Sequence, residues 1–453
     1  MGSSPTFRTM KKNVLLINPW ITDFTAYDFW LRPLGLLYAA SILRDRADVS
    51  LRLIDCLDRF HPGLPPPARS KPDGRGHYLK LEIPKPDVLK AVPRRYSRYG
   101  IPIDLFLTEL GRGPVPDLVM VTGTMTYWYP GVQLAVELVR QKFGTVPVIL
   151  GGIYATLAED HARRFSGADM VLPGPAEKKL LPAVGEIWGN GAVRDADFPS
   201  FRSLPRPALE LLGDKRFLPL LTSRGCPFTC TFCAGPLLYD RFEQRDPAGV
   251  VDEIADAHAR YGTRDFAFYD DALLLKHGSH IVPILEGVID RRLPVSFHTP
   301  NGLHIREIDR ALARLFARAG VRSIYLSQES TDPDVIREAC PKVGRGDLET
   351  AIGHLVQAGY RREDIHVYLI AGLPNQGVKS ITDSVRDVRR LGAKPRMAYF
   401  SPIPGTRAWR DLIAQGRLKK DADPLIFNKM VFPYLWSDIS PEDYGELQAL
   451  LNE

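Results

Sequence analysis

The 453-residue chain lacks any apolar run of about 18 residues, the minimum for a membrane-spanning helix. Its first ten residues carry no apolar signal core, which predicts a cytoplasmic protein with Met10 as a candidate native start. There are only five cysteines, an odd number, so the disulfide framework of a secreted domain is not indicated. Neither sign of charge dominates: 59 Lys and Arg against 53 Asp and Glu leave +6, of which +5 falls in residues 57–116. That balance gives no argument for a nucleic-acid partner. What remains is an ordinary globular composition, 45% hydrophobic and 25% charged, at a length that suits roughly two to three domains.

Three of the five cysteines lie within eight residues, Cys226, Cys230 and Cys233, spaced Cys-x3-Cys-x2-Cys just after the apolar run 217–221. Three thiolates on one loop can hold three irons of a 4Fe–4S cluster and leave the fourth open to a small molecule. Zinc would want a fourth Cys or His at short spacing, and the next His downstream, His258, lies inside a helical pattern. The spacing, with the aromatic Phe232 directly before the last cysteine, resembles the radical S-adenosylmethionine (SAM) enzymes. Cys56 and Cys340 are left over and cannot hold a second cluster, which argues against the methylthio-transfer branch of that family.

Upstream, apolar runs predict strands at 13–18, 49–55, 117–122, 146–150 and 169–172. Helical patterns lie at 33–46, 131–143, 157–165 and 177–188. Strands alternating with helices imply a parallel sheet covered on both faces, here a doubly wound, flavodoxin-like α/β domain over 11–190. Ligands of such sheets bind at the carboxyl ends of the strands, and the loops there are rich in Gly, hydroxyl and aromatic residues. Pro33-Leu34-Gly35, Thr124-Met125-Thr126-Tyr127-Trp128, Gly151-Gly152 with Tyr154-Ala155, and Gly174 with Glu177 follow in this order. Together they resemble the cobalamin-binding domain that precedes the barrel in many radical SAM enzymes. The resemblance implies that these residues contact cobalamin. The Asp-x-His-x-x-Gly pattern of classical cobalamin enzymes is absent, so Tyr127, Trp128 or Tyr154 are candidates to cover the lower corrin face. A scaffold without corrin is the alternative.

Residues 57–116 interrupt this domain with 11 of the 38 prolines. A connection of that length is expected to be functional or ordered on its own. Arg94, Arg95 and Arg98 are candidates to meet an anionic substrate or cofactor side chain, with a solvated surface wrap as the other reading.

Beyond a proline-bearing linker (191–216, with Pro199), strands are expected at 217–222, 265–269, 295–298, 323–327, 365–370 and 395–400. Helices lie between them. Six strand–helix units over 217–406 match the partial (β/α)6 barrel of the radical SAM family, whose chemistry sits at the carboxyl ends of the strands. The resemblance places SAM against Phe232, Asp270, Asp271, Asn301, Gln328, Glu329, Ser330, Leu373 and Pro374. It implies a 4Fe–4S cluster, SAM and cobalamin as cofactors, and an electron donor such as flavodoxin or ferredoxin. One SAM would be cleaved reductively to a 5′-deoxyadenosyl radical that takes hydrogen from an unactivated carbon. Cobalamin would then deliver the methyl group to a small-molecule substrate. A non-methylating rearrangement, cyclisation or oxidation is the alternative. A non-catalytic corrin or cluster sensor is a third reading, though it would need no SAM motifs. Residues 407–453 read as a short helical end with aromatics at Trp409, Phe427, Tyr434 and Trp436.

Overall fold

The structure, a computed structural model, describes residues 11–452 apart from 68–69, 190–191, 195–197, 199–200, 345 and 436. The start at Met10, Pro199 of the linker and Trp436 therefore lie outside the described residues. Among those described, no helix is long and apolar enough to cross a membrane.

Five parallel strands form the first sheet: β1 (Lys12–Asn18), β2 (Val49–Asp55), β3 (Leu118–Gly123), β4 (Val148–Gly151) and β5 (Met170–Val171). Their order is β2-β1-β3-β4-β5, the flavodoxin-like arrangement expected from the alternation of elements. The order reverses between β1 and β3, which leaves a crevice beyond their carboxyl ends. One helical stretch differs from expectation. The pattern at 157–165 is carried by two helices, Gly152–Leu157 and Glu159–Phe165, broken at Ala158.

The insertion is partly a sheet of its own. Ser97–Tyr99 pairs antiparallel with Lys80–Glu82 and with Ile21–Asp23 of the parent domain. Its Arg75 reaches the second domain and hydrogen-bonds the Tyr325 hydroxyl at 3.2 Å.

The second sheet has six parallel strands: β6 (Phe217–Leu220), β7 (Asp265–Phe268), β8 (Ser296–His298), β9 (Val321–Glu329), β10 (Ile365–Ala371) and β11 (Lys394–Tyr399). They pair in sequence order, and β6 does not close on β11. The result is an open, partial barrel. Local chemistry fixes its helices. Asp246 accepts from Gly249 N (2.9 Å) to start Pro247–Tyr261, and Asp309 accepts from Leu312 N (2.7 Å) to start Arg310–Ala319. Both helices end on a left-handed glycine, Gly262 and Gly320.

The chain does not stop at the barrel. Arg407–Ala414, Pro424–Phe427, Phe432–Leu435 and Pro441–Asn452 are helical, and this end returns to the first domain. Asn428 Nδ2 donates to Asp23 Oδ1 (2.9 Å) and the Tyr129 hydroxyl donates to Asp423 (3.1 Å).

Candidate active site at the cysteine loop

The loop after β6 is pinned before its first cysteine. Asp270, just beyond β7, accepts from Thr222 N (3.2 Å), Thr222 Oγ1 (2.6 Å), Ser223 N (2.5 Å) and Ser223 Oγ (2.6 Å). Gly225 then turns at φ +78°, where a Cβ would lie 2.5 Å from the Arg241 carbonyl oxygen. No other residue fits there without displacing backbone. Thr231 sits between two elements: its N–H donates to Ala339 O (3.0 Å) and its carbonyl accepts from Ala408 N (2.9 Å).

Cys226 and Cys233 converge on Gly235. A Cβ at that glycine would stand 3.5 Å from Cys233 Sγ and 3.9 Å from Cys226 Cβ, and Gly235 N donates to Cys233 Sγ at 3.4 Å. Such N–H···S bonds are among the ways a protein tunes an iron–sulfur centre. Burial pushes all three thiols up, Cys230 to about 11. Thiolates therefore need positive charge close by, and bound iron supplies it. Cys230 is buried and Cys233 exposed. Among the described residues, no three His, Cys, Asp or Glu side chains converge on one metal ion. Sulfurs that each hold a different iron of a cube need no such convergence. The donor set fits a cluster.

The expected SAM residues divide into two groups. Asp271 is exposed beside the loop and accepts from Gly225 N. Asn301 is exposed, with Nδ2 on Tyr269 O (2.8 Å). Glu329 ends β9 at φ +66°, an uncommon conformation for a side-chain-bearing residue, and pairs with Lys342 (2.9 Å). Pro374 and Phe232 are half-buried, and Leu373 is buried in the turn after β10. The other three are engaged with the protein itself. Asp270 is occupied by its four donors and supports the loop. Gln328 Nε2 donates to Ser330 O (2.7 Å) while its Oε1 is buried without a partner, and the Ser330 hydroxyl accepts from Asp332 N (3.1 Å). Both side chains are buried and hold the turn after β9 together.

The loops of the first sheet divide likewise. Gly35 and Met125 are exposed, Thr124 is half-buried, and a Cβ added at Gly35, Gly151 or Gly174 would meet nothing within 4 Å. Gly152 is also exposed. These residues form an open rim beyond β1, β3, β4 and β5. Pro33, Leu34, Thr126 and Ala155 are buried behind it. The aromatic candidates are also tied to the protein. Tyr127 and Tyr154 are packed in the core, the Tyr154 hydroxyl bonded to His161 Nδ1 (2.8 Å), and Trp128 Nε1 donates to Asp23 Oδ2 (2.7 Å). Glu177 is likewise engaged, 2.5 Å from Arg224 Nη1, the residue two before Cys226.

The arginines expected to meet an anion are dispersed. Arg94 bonds the Tyr444 hydroxyl (3.3 Å), Arg95 pairs with Glu82 at the surface, and Arg98 lies over Trp20. Sequence reasoning missed the residues that line the barrel: Trp30, Arg75, His298, Tyr325, His366, Tyr368 and Arg396. The available signal was alternation. His366-Val367-Tyr368-Leu369 and Lys394-Pro395-Arg396 put polar and aromatic side chains on one face of each strand.

Residues 220–388, from the end of β6 through the helix after β10, match the Radical SAM superfamily. That stretch is a radical SAM domain. Such a domain implies SAM and a 4Fe–4S cluster, with Cys226, Cys230 and Cys233 as the cysteine triplet. The chain is 27% identical, over all of its length and 91% of the other, to cytidylyl-2-hydroxyethylphosphonate methyltransferase of Streptomyces wedmorensis. It is 24% identical to the anaerobic magnesium-protoporphyrin IX monomethyl ester cyclase of Cereibacter sphaeroides, over 68% of this chain and 55% of that one. Its fold is that of the radical SAM methyltransferase TsrM from Kitasatospora setae, solved with cobalamin and a [4Fe-4S] cluster bound. The TM-score is 0.68 at 17% identity, covering 97% of this chain and 91% of TsrM.

Proposed function

We propose that this radical SAM enzyme is a cobalamin-dependent methyltransferase acting on an unactivated carbon of a small molecule. The observation that carries the reading is the direction of the open glycine rim. Helix Gly235–Leu238, which begins two residues after Cys233, packs against helix Gly152–Leu157, which begins at the rim. A ligand cradled by Gly35, Gly151, Gly152 and Gly174 would therefore lie next to the cysteine loop. The full-length likeness to a phosphonate methyltransferase and to TsrM supports the same reading.

When bound, the cluster with SAM would supply one-electron radical chemistry and the corrin a transferable methyl group. The chain's own residues do the rest. Cys226, Cys230 and Cys233 would hold three irons, and Gly235 N–H donates to the Cys233 sulfur. Asp271, Asn301 and Glu329 are the polar groups available to orient SAM. Trp30 is fully buried between the domains, stacked on His298 at 4.3 Å, and excludes water from one half of the barrel. An external electron donor, of the flavodoxin or ferredoxin kind, would approach the exposed Cys233 side.

The test uses anaerobically reconstituted protein with cobalamin, SAM and a reductant. Methylated product and 5′-deoxyadenosine should appear together, and omitting cobalamin should abolish the methylated product. The cyclase relatives favour a second reading, a cobalamin-associated oxidation or cyclisation. It predicts 5′-deoxyadenosine and a changed substrate without methyl transfer. Cys230→Ala should lose the cluster's absorption near the visible range and all turnover under either reading.

A further inference from the structure

The inner surface of the barrel has two unlike halves. Over β6 to β8 it is filled: Trp30 packs on Phe217, Ala267 and the His298 ring. Over β9 to β11 it is open. Tyr325 is in register with His366, Tyr368 with Arg396, and Ile370 with Ala398. Residues level with one another in a parallel pair face the same side of the sheet. The alternate residues Val367 and Leu369 are fully buried on the other side. On this inner face Arg396 and Ala398 are exposed, and His366 and Tyr368 half-buried. The Tyr325 ring stacks on His366 (4.6 Å) and on Tyr368 (5.3 Å), each at 23°. Phe29 and Arg75 of the first domain close the side towards Trp30 through the Tyr325 ring and hydroxyl.

The charges around this opening do not cancel. Each nearby carboxylate has its own cation: Asp73 with Arg75 (2.6 Å), Glu329 with Lys342 (2.9 Å) and Asp364 with Arg361 (2.7 Å). Arg396 and Lys394 have no carboxylate within ion-pair distance among the described residues. Arg396 Nε instead donates to His366 Nδ1 (3.2 Å), which requires that nitrogen to be unprotonated. Burial, and then Arg396, Lys394 and Arg75, hold His366 down at about 4. A guanidinium left with a neutral imidazole keeps its remaining N–H groups for an oxyanion.

We infer that the open half of the barrel binds the anionic group of an organic substrate, a carboxylate or a phosphonate or phosphate, on Arg396. The Tyr325, His366 and Tyr368 rings lie against the adjoining apolar part of that substrate. This rests on the reading above that the enzyme acts on a small molecule inside the barrel, and it names that molecule's class.

The test is calorimetric titration of the reconstituted full chain with phenylphosphonate, benzoate and neutral benzyl alcohol. At least one anion should bind ten times or more tightly than benzyl alcohol, and the preferred anion identifies the head group. Arg396→Met should weaken that anion at least tenfold and leave benzyl alcohol within twofold, while Arg396→Lys should retain most of the affinity. Circular dichroism checks that both variants fold, and should the Met variant fail, a more than hundredfold loss in Arg396→Lys counts against the site. Equal binding of the alcohol, no binding of either anion, or an unaffected Met variant overturns the inference. Reductive SAM cleavage by the wild-type preparation is measured alongside. If cleavage occurs and the anion discrimination does not, the inference fails alone; if cleavage is absent, the parent reading fails whatever the titrations give.

Discussion

Two adjacent aspartates show how much one residue's surroundings decide. Asp270 and Asp271 are indistinguishable in sequence, yet Asp270 is buried under four donors and Asp271 is exposed at the loop. Burial raises Asp270 to about 6 even though every one of its hydrogen bonds favours the carboxylate. Asp270→Asn places an amide N–H against donors, and should cost about 2 kcal/mol in denaturant unfolding together with loss of iron on reconstitution. The same network reaches His280, whose Nε2 is 2.9 Å from Thr222 Oγ1. Thr222 gives its own proton to Asp270, so Nε2 carries a proton and donates. Burial, then Arg245 and Arg202, lower His280 to about 4. Its folded value lies below the unfolded one of roughly 6.5, so protonation favours the unfolded chain. Its contribution is complete above pH 6.5 and is lost as pH falls from 6.5 to 4. Asp270 runs the opposite way but is common to both proteins. The stability advantage of wild type over His280→Asn should therefore shrink by on the order of 2 kcal/mol across that window, in urea melts at stepped pH. A constant difference would remove His280 from the pH response.

At the scale of elements, what was legible followed from periodicity. Continuous apolar runs such as Val14–Ile17 and alternating ones such as Ile365–Ile370 identify strands because each pattern matches a fully or half-covered sheet face. The cysteine triplet was legible because its spacing is chemistry in itself. The insertion was not: residues 57–116 have many prolines and no period, and their order comes from pairing with Ile21–Asp23, a partner distant in sequence. Nor does helical periodicity say where a helix docks, so residues 407–453 gave no sign of their return to the first domain. That return is a strap. Asp423 caps Pro424–Phe427 by accepting from Leu425 N (2.9 Å) and also takes the Tyr129 hydroxyl, while Asn428 reaches Asp23. At the barrel end Phe432 packs on Gly372, where φ is +92° and a Cβ would meet the ring at 2.7 Å. Asn428→Ala leaves the buried Asp23 carboxylate short of a donor and should destabilise by about 1–3 kcal/mol. Gly372→Ala adds strain in the turn next to Leu373 and Pro374, so its thermal transition should fall and its SAM affinity with it. An unchanged affinity for SAM would separate that turn from the binding site.

Across the whole molecule, the two domains meet through ion pairs as well as apolar packing. Arg32 lies over Phe217 at 3.9 Å and pairs with Asp214 at 2.9 Å. Near the cysteines, Arg224 holds Glu177 of the first domain (2.5 Å) and Glu243 of its own (3.1 Å), with the Phe201 and Tyr239 rings near its guanidinium. Arg224 thus ties the loop that carries Cys226 to the loop that follows β5. A buried pair of this kind adds little net stability, because desolvation offsets its attraction, but removing one partner strands the other. Arg224→Met strands Glu177 and should therefore cost about 3 kcal/mol, Glu243 keeping Arg241 (3.1 Å), whereas Glu177→Met leaves Arg224 paired with Glu243 and should cost less. The double variant should lose less than the two together, with a coupling of about 1–3 kcal/mol. The consequence for chemistry is distinct from that for stability. If the tie sets how the glycine rim faces the cysteine loop, Glu177→Met should still cleave SAM but form several-fold more 5′-deoxyadenosine per methyl group transferred. A normal ratio beside a measurable coupling energy would make Arg224 and Glu177 a clasp between domains with no part in aligning their cofactors.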